Sequence, residues 1–164
     1  MRAWVVHGFR DMRLAEVPVP SDVAPGWALV KVLTVQPSIT ESLLLRGLPT
    51  YNLEFVRTTL NTGPFQLFGH EYSAQVLKVG DGVTDLMPGQ RVASRSVSSC
   101  GDCWLCAHGR RDECQKGPIT GYQIPGCFAE YALLPADTLG PLLTPISDSV
   151  CAAIQPRSDS VAGV

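Results

Sequence analysis

A cluster of four cysteines constrains the fold of this chain more than any other feature of its sequence. The segment CGDCWLCAHGRRDEC has the spacing C-x2-C-x2-C-x7-C, and its cysteines are Cys100, Cys103, Cys106 and Cys114. Cysteines this close together let one tight loop supply most of the tetrahedral cage that zinc requires. Gly101 and Gly109 give the backbone the freedom for such a wrap. The spacing therefore predicts one structural zinc ion in a lobe of about residues 95–116.

Two other chemistries are open to these cysteines. The first alternative is an iron–sulfur cluster, because the pattern C-x2-C-x2-C also begins the bacterial ferredoxin motif. That motif continues with C-x3-C-P, whereas here seven residues separate the third and fourth cysteines. Disulfides or free core thiols are the second alternative, and a cytosolic setting disfavours disulfides. A closed four-thiolate zinc site would stabilise a loop and take no part in catalysis. Cys127 and Cys151 lie outside the spacing and are predicted to be small buried hydrophobic residues.

The composition indicates one globular domain that spans residues 1–164. Hydrophobic residues make up 45% of the chain and charged residues 17%, which is typical of a packed core and not of disorder. A formal net charge of -2 gives no general electrostatic attraction to nucleic acid or to an anionic membrane. No apolar run approaches the ~18 residues of a membrane span, and the start lacks a signal-peptide core. We therefore expect a cytoplasmic protein with no nucleic-acid or membrane partner.

Short strands dominate the predicted secondary structure. Val-rich segments that partly alternate between apolar and polar residues predict six strands. The predicted strands are residues 3–6, 13–17, 28–35, 72–79, 91–93 and 128–134. Two short helices are predicted at 38–46, capped by Ser38 or Thr40, and at 148–154, whereas residues 47–67 are interpreted as a loop. The sum predicts a mainly β, partly open barrel with short helices and long loops.

Three further segments, in order with the cysteine lobe, resemble one known family. Gly69-His70-Glu71 opens the segment GHEYSAQVLKVGDGVTDLMPGQRV, which resembles the signature of the zinc-containing medium-chain dehydrogenase/reductase family. The segment GCFAEYALLPAD resembles the Gly-Phe-Ala-Glu-Tyr strand of that family, and residues 1–20 resemble its opening hairpin. The resemblance covers nearly the whole chain. It implies the GroES-like catalytic domain of alcohol dehydrogenases, with the family's structural zinc on the four cysteines.

The resemblance also implies a second, catalytic zinc, held in the family by a Cys, a His and a Cys or Glu. Such a zinc polarises the alcohol oxygen so that hydride can leave to a nicotinamide. In this sequence Ser38 occupies the cysteine position, in VQPSITE, and Gln155 occupies the third position, in AAIQP. His70 is present with Glu71 beside it, and Thr40 matches the residue with which the family passes the alcohol proton outward.

Two of the three implied ligand positions therefore carry no charge, and metal affinity depends on ligand charge and type. Three roles for His70 stay open. It is a buried, hydrogen-bonded histidine, or a ligand of a weak catalytic zinc, or a member of a metal-free acid/base pair with Glu71 or Thr40. The expectation is one zinc ion per chain, bound by the cysteine lobe.

Enzymes of this family carry NAD(P) on a Rossmann domain that follows the GroES-like domain. That fold needs a G-x-G-x-x-G turn between a strand and a helix. The nearest match, Gly80-Asp81-Gly82, lacks the third glycine and a following helix, so we interpret it as a hairpin turn. The chain ends at Val164, about where the family's linking helix would lead into the cofactor domain. Either the full gene product is longer or the domain is free-standing.

Two hypotheses follow. In the first, the chain is the substrate-side half of a dehydrogenase that acts on a small molecule, with His70, Glu71 and Thr40 in its active site. In the second, it is a stand-alone relative that catalyses a non-redox step or binds a small molecule. The partners implied are a missing cofactor-binding domain or a second copy of the chain.

Overall fold

The structure is a computed structural model that describes residues 1–95 and 97–157, apart from the side chain of Asp112. Its strands are β1 (Arg2–Gly8), β2 (Asp11–Glu16), β3 (Trp27–Gln36), β4 (Glu71–Val79), β5 (Arg91–Ser94), β6 (Tyr131–Pro135) and β7 (Leu139–Pro141). Its α-helices are α1 (Ile39–Leu45), α2 (Leu53–Leu60), α3 (Trp104–Ala107) and α4 (Asp148–Ala152). The predicted mainly β fold is confirmed, and the helices are short.

The strands form two antiparallel sheets. β1 and β2 make a hairpin, and the other five strands form one sheet in the order β6-β3-β4-β5-β7. β3 is the longest strand, and it pairs with β4 from Ala28 to Gln36 and with β6 from Trp27 to Lys31. A bridge from Ala3 to Ala129 and another from Val6 to Phe65 join the hairpin to the rest of the fold. The result is the partly open barrel that the sequence predicts.

Two hydrophobic clusters hold these elements together. One fills the inside of the five-stranded sheet, where Val30 of β3 and Val76 of β4 are fully buried. The other packs α1 and α2 against the hairpin through Leu44 and Val56, which are also fully buried. Each fully buried side chain of this kind contributes about 1.5–3 kcal/mol relative to exposure. The second cluster lies directly behind the segment that leads into β4, and it therefore supports the start of that strand.

The six predicted strands are all present, with shifted ends. The largest shift concerns the predicted strand 128–134, which begins only at Tyr131. The preceding residues pair with β1 instead, because Trp4 N donates to the carbonyl of Phe128 at 2.8 Å. The strand β7 was not predicted, since three residues are too few for a periodic pattern.

The interpretation of residues 47–67 as a loop is wrong. This segment contains α2, in which Leu53, Val56 and Leu60 recur three and four residues apart and pack against the second hydrophobic cluster. The pattern covers only two turns, so its helical period is hard to distinguish in the sequence. The predicted helix 38–46 is confirmed with Ser38 as its N-cap.

Three further predictions are confirmed by the structure. The last predicted helix begins at Asp148 and ends at Ala152, and residues 154–157 are helical again after a turn at Ala153. Cys127 and Cys151 are buried, with 0% and 1% of their surfaces exposed. The stretch from Gly80 to Gly82 forms a turn after β4 and leads into no helix. No helix in the described part of the chain is long and apolar enough to cross a membrane.

Candidate metal centre and candidate active-site pocket

The four predicted zinc ligands converge on one point. The ligand sulfurs of Cys100, Cys103, Cys106 and Cys114 all lie within 4.8 Å of one another. The Sγ–Sγ distances are 3.5 Å between Cys114 and Cys100, and 3.9 Å for the two pairs Cys100–Cys106 and Cys103–Cys114. Sulfurs bound at about 2.3 Å to a tetrahedral zinc are about 3.8 Å apart. The cage therefore has the dimensions that a tetrahedral zinc ion requires.

Main-chain hydrogen bonds to the sulfur of Cys114 favour its thiolate form. The N–H groups of Cys100 and Lys116 donate to the sulfur of Cys114 at 3.3 and 3.4 Å, and they lower the pKa of that thiol to about 6. Desolvation raises the pKa of Cys106, and a hydrogen bond with Asp102 raises the pKa of Cys100 to about 12. A main-chain hydrogen bond from Cys106 also lowers the pKa of Cys103. Two of the four thiols thus ionise more easily than a free cysteine, whereas ionisation of the complete set requires a bound cation.

The residues predicted for the active site meet in a second place, an open pocket of about 370 Å³. Ser38 and Thr40 lie at the start of α1, His70 and Glu71 lie at the start of β4, and Gln155 follows α4. The pocket is lined by Gln36, Pro37, Ser38, Ile39, Thr40, His70, Glu71, Gln155 and Pro156. Three segments that are distant in sequence therefore contribute to one site.

Two carboxylates flank the ring of His70. Its Nδ1 lies 2.7 Å from Oε1 of Glu41, and its Nε2 lies 3.8 Å from Oε1 of Glu71. Glu41 is 4% exposed, and the same oxygen accepts from the main-chain N–H groups of Gly69 at 2.6 Å and of His70 at 3.3 Å. These donors satisfy the buried carboxylate. The ring is consequently fixed, with Nδ1 facing Glu41 and Nε2 on the side of Glu71.

A strained turn immediately before His70 positions this residue at the pocket. Phe68 has φ 71° and Gly69 has φ 82°, so two successive residues are left-handed just before β4. A non-glycine residue in this region costs about 1–3 kcal/mol and persists only when its surroundings enforce it. A Cβ on Gly69 would lie 2.6 Å from the main-chain nitrogen of Phe128, and one on Gly126 would lie 1.6 Å from the carbonyl oxygen of Phe68. The close packing of these backbones enforces the turn.

The pocket does not fit a catalytic zinc. Ser38 Oγ accepts a hydrogen bond from the N–H of Glu41 at 3.2 Å, and Glu41 Oε2 accepts from the N–H of Ser38 at 3.1 Å, so both groups form the capping box of α1. The hydroxyl of Ser38 and the amide of Gln155 are neutral donors, which bind zinc poorly. Within residues 1–95 and 97–157, the lobe cysteines are the only group of three or more Cys, His, Asp or Glu residues whose ligand atoms lie close enough together to hold a metal ion.

Sequence reasoning missed three residues around His70. Glu41 holds the ring, Gln36 Nε2 donates to Oε2 of Glu71 at 2.7 Å, and the hydroxyl of Tyr122 lies 3.4 Å from Nδ1 of His70. Burial raises the pKa of Tyr122, so its phenol stays protonated. The Ser-x-x-Glu pattern of the capping box identifies Glu41 as a candidate. Tyr122 is 52 residues away from His70, and no local pattern connects the two.

Comparison with known proteins identifies the family of this chain. The family model of the alcohol dehydrogenase GroES-like domain matches residues 24–144. The chain is 36% identical over 124 residues to an L-threonine 3-dehydrogenase of Thermococcus kodakarensis, a match that covers 75% of this chain. The chain therefore belongs to the alcohol dehydrogenase GroES-like domain family.

Solved structures of relatives have the same fold. The short chain alcohol dehydrogenase rspB from E. coli CFT073, complexed with NADH, aligns with 98% of this chain at a TM-score of 0.79 and 26% identity. A putative zinc-binding dehydrogenase from Sinorhizobium meliloti 1021, bound to NADP, aligns with 99% of it at a TM-score of 0.78 and 27% identity. This chain spans 33% of the length of the threonine dehydrogenase, and 44% of each of these two structures.

Proposed function

We propose that this chain is the substrate-side domain of an alcohol dehydrogenase-like oxidoreductase that acts on a small molecule. The observation that carries the proposal is the convergence of Thr40, His70 and Glu71 in one pocket of a fold whose relatives are dehydrogenases. NAD(P) is supplied by a Rossmann domain outside the 164 residues, or by a second protein. Two of the relatives were solved with NADH or NADP, which supports this choice of cofactor.

One structural zinc ion per chain belongs to the proposal. It is bound by Cys100, Cys103, Cys106 and Cys114, whose sulfur spacing matches a tetrahedral zinc. When bound, the ion stabilises the lobe and supplies no catalytic chemistry, because four protein ligands leave no open position. The cytoplasm is the proposed compartment, since none of the six cysteines is paired in a disulfide. A second copy of the chain is a further proposed partner.

The pocket residues supply proton transfer in this proposal. Oxidation of an alcohol releases a hydride to the nicotinamide and a proton from the hydroxyl. Thr40 and His70 are the groups in the pocket that can relay this proton outward. Glu41 fixes the imidazole ring, and Gln36 fixes the carboxylate of Glu71. Glu71 and Gln155 line the same cavity and contact the substrate's polar groups in the proposed complex.

A nicotinamide titration tests the proposal. The 164-residue chain should show no saturable NAD(P)H binding below about 1 mM, because it has no dinucleotide fingerprint. The product of the native gene, with whatever follows codon 164, should bind NAD(P)H and oxidise or reduce members of an alcohol and carbonyl panel. His70→Asn should lower that turnover by about 10²- to 10⁴-fold. His108→Asn, at an exposed histidine of the lobe, is the matched control and should leave it unchanged.

The contradicting results are equally direct. Saturable NAD(P)H binding by the 164-residue chain would refute the assignment of the cofactor site to another domain. A native gene product that neither binds nicotinamide nor turns over any member of the panel would refute the oxidoreductase itself.

A second candidate function is a metal-free, non-redox step. It is favoured by the 2.7 Å contact between Glu41 and His70 together with the neutral groups of Ser38 and Gln155. A histidine oriented by a carboxylate is a competent general base. This candidate predicts that the chain exchanges protons next to a carbonyl group for solvent deuterium without any nicotinamide. Exchange detected by NMR across a panel of small ketones, and abolished by His70→Asn, would select it over the redox proposal.

A further inference from the structure

The cysteine lobe is joined to the barrel through a neck, which we define as residues 97–99 and 117–119. A β-bridge connects the two segments, and Ser98 N donates to the carbonyl of Pro118 at 3.0 Å. The segments pack so closely that a Cβ on Gly117 would lie 1.5 Å from the carbonyl oxygen of Ser98. The two ends of the cysteine loop are therefore held together by contacts that involve no sulfur atom.

One carboxylate from the barrel accepts three hydrogen bonds from this neck. Asp137 accepts hydrogen bonds from Ser98 Oγ at 2.7 Å, from Ser99 N at 2.8 Å and from Ser99 Oγ at 2.7 Å. Asp137 itself lies in a 3-10 turn between β6 and β7, and that turn is fixed by Thr138 Oγ1, which donates to Pro135 O at 2.7 Å. Hydrogen bonds to a charged acceptor are stronger than those between neutral groups. The neck is thus tied to a rigid part of the barrel.

The same contact reaches both halves of the lobe. Ser99 directly precedes Cys100, whose N–H donates to the sulfur of Cys114. Ser99 Oγ also accepts from Nε of Arg111 at 3.0 Å, and Arg111 begins the 3-10 turn Arg111–Glu113, which directly precedes Cys114. Asp137 therefore orders, through one serine, the first and the last of the four cysteines.

We propose that Asp137 is a positioning residue that presets the cysteine cage before the metal binds. The proposal rests on the zinc site proposed above. Asp137 forms its hydrogen bonds with Ser98 and Ser99 and not with any of the four sulfurs. A loop that is already ordered loses less conformational freedom on binding. Outer partners of metal ligands typically change metal affinity by about 10- to 100-fold. Loss of the carboxylate should have an effect of this size on affinity while the ligand set stays the same.

Cobalt titration of the metal-free protein separates these effects. Wild-type protein should give the absorption bands of tetrahedral thiolate-bound Co(II), which tests the metal site itself. Asp137→Asn should give bands at the same wavelengths but with a dissociation constant raised about tenfold or more. Asp148→Asn is the matched control, because Asp148 is a similarly half-buried aspartate that accepts from Ser73 and Arg91 and fixes α4, away from the lobe. Its cobalt affinity should equal that of the wild type.

The other outcomes of the cobalt titration also test the positioning role of Asp137. Equal cobalt affinities of Asp137→Asn and Asp148→Asn would overturn the positioning role and leave the metal site intact. Absence of thiolate bands in the wild type would overturn the metal site and the positioning role with it. Should Asp137→Asn fail to fold, Ser99→Ala removes one donor to Asp137 and the acceptor of Arg111 while the carboxylate remains. A several-fold loss of affinity in Ser99→Ala supports the role, and an unchanged affinity contradicts it.

Discussion

The cysteine lobe and the His70 pocket are the two places where this family's metals are expected. They differ in whether the candidate ligand atoms point toward a common centre or toward other groups of the protein. In the lobe, the sulfurs face one another at 3.5–3.9 Å, and two main-chain N–H groups donate to the sulfur of Cys114 and stabilise its thiolate. In the pocket, the donors face partners within the protein, with Ser38 bonded to α1 and Glu41 bonded to His70. Residues in one pocket form a metal site only when their lone pairs converge on a common point.

The two regions also differ in charge. The lobe offers four groups that become thiolates when a cation binds. The pocket offers the neutral side chains of Ser38 and Gln155, and its carboxylates are engaged by His70 and Gln36. We therefore propose a metal for the first region and hydrogen-bond chemistry for the second. Four predictions test this distinction, beginning with the largest effect.

Cys103→Ser should abolish stoichiometric zinc binding and unfold the lobe. A serine hydroxyl is not ionised at neutral pH, so the cage loses one of its four charged ligands, and affinity should fall by more than about 100-fold, beyond the range of outer partners. Zinc content and thermal unfolding measure the effect, and the NMR signals of His70 should not move. Cys151→Ser is the control, since this buried cysteine lies outside the lobe and donates to Val92. A Cys103→Ser protein with full zinc content and wild-type stability would contradict the assignment.

The double variant Ser38→Cys with Gln155→Glu should bind a second zinc. It supplies a thiolate and a carboxylate at the two neutral positions beside His70, which completes the donor types of a catalytic zinc site. Elemental analysis should rise from one zinc per chain to two. Ser42→Cys with Gln155→Glu is the control, because Ser42 is exposed on α1 and does not line the pocket. If the double variant keeps one zinc, the two neutral side chains are not what disables the pocket.

Glu41→Gln should lower the free energy of unfolding by about 2 kcal/mol without loss of zinc. The carboxylate accepts hydrogen bonds from three main-chain N–H groups and contacts His70, and an amide would leave buried donors without an acceptor. Urea unfolding measures the change. Glu54→Gln, at an exposed glutamate of α2, should stay within about 0.5 kcal/mol of the wild type. Equal stability of the two variants would show that Glu41 does not organise the pocket.

Ser38→Ala should have the smallest effect, a loss of about 1 kcal/mol from the N-cap of α1. Its zinc content should equal that of the wild type, because the hydroxyl binds the helix and not a metal. Thermal unfolding and elemental analysis measure the two quantities on the same sample. A drop in zinc per chain would identify Ser38 as a ligand and remove the difference between the two regions.

The convergence of the four lobe cysteines could be predicted from the sequence, because they lie within 15 residues and their spacing is typical of a tetrahedral metal cage. The strands could be predicted because alternation of apolar and polar residues is a local signal. The helix α2 could not, since its apolar face spans only Leu53, Val56 and Leu60. The start of β6 at Tyr131 could not be predicted either, because the residues just before it pair with β1, a long-range contact without a local pattern.

The pocket could be predicted in part. Its lining by Ser38, Thr40, His70, Glu71 and Gln155 follows from the resemblance to the family and from the pocket that the fold creates. The way in which these residues are held depends on tertiary contacts. The bond from Glu41 to His70 forms only when α1 packs beside the turn that precedes β4. The same holds for Asp137, whose link to the lobe joins residues 38 positions apart.

The zinc content of the purified 164-residue chain tests the central distinction most directly. Elemental analysis after purification without chelators, and with zinc in slight excess before dialysis, counts the tightly bound ions. We predict one zinc per chain, bound by the four cysteines. Two zinc ions per chain would contradict this prediction, because a second ion in the pocket of Ser38, His70 and Gln155 would show that the neutral side chains there do not prevent metal binding.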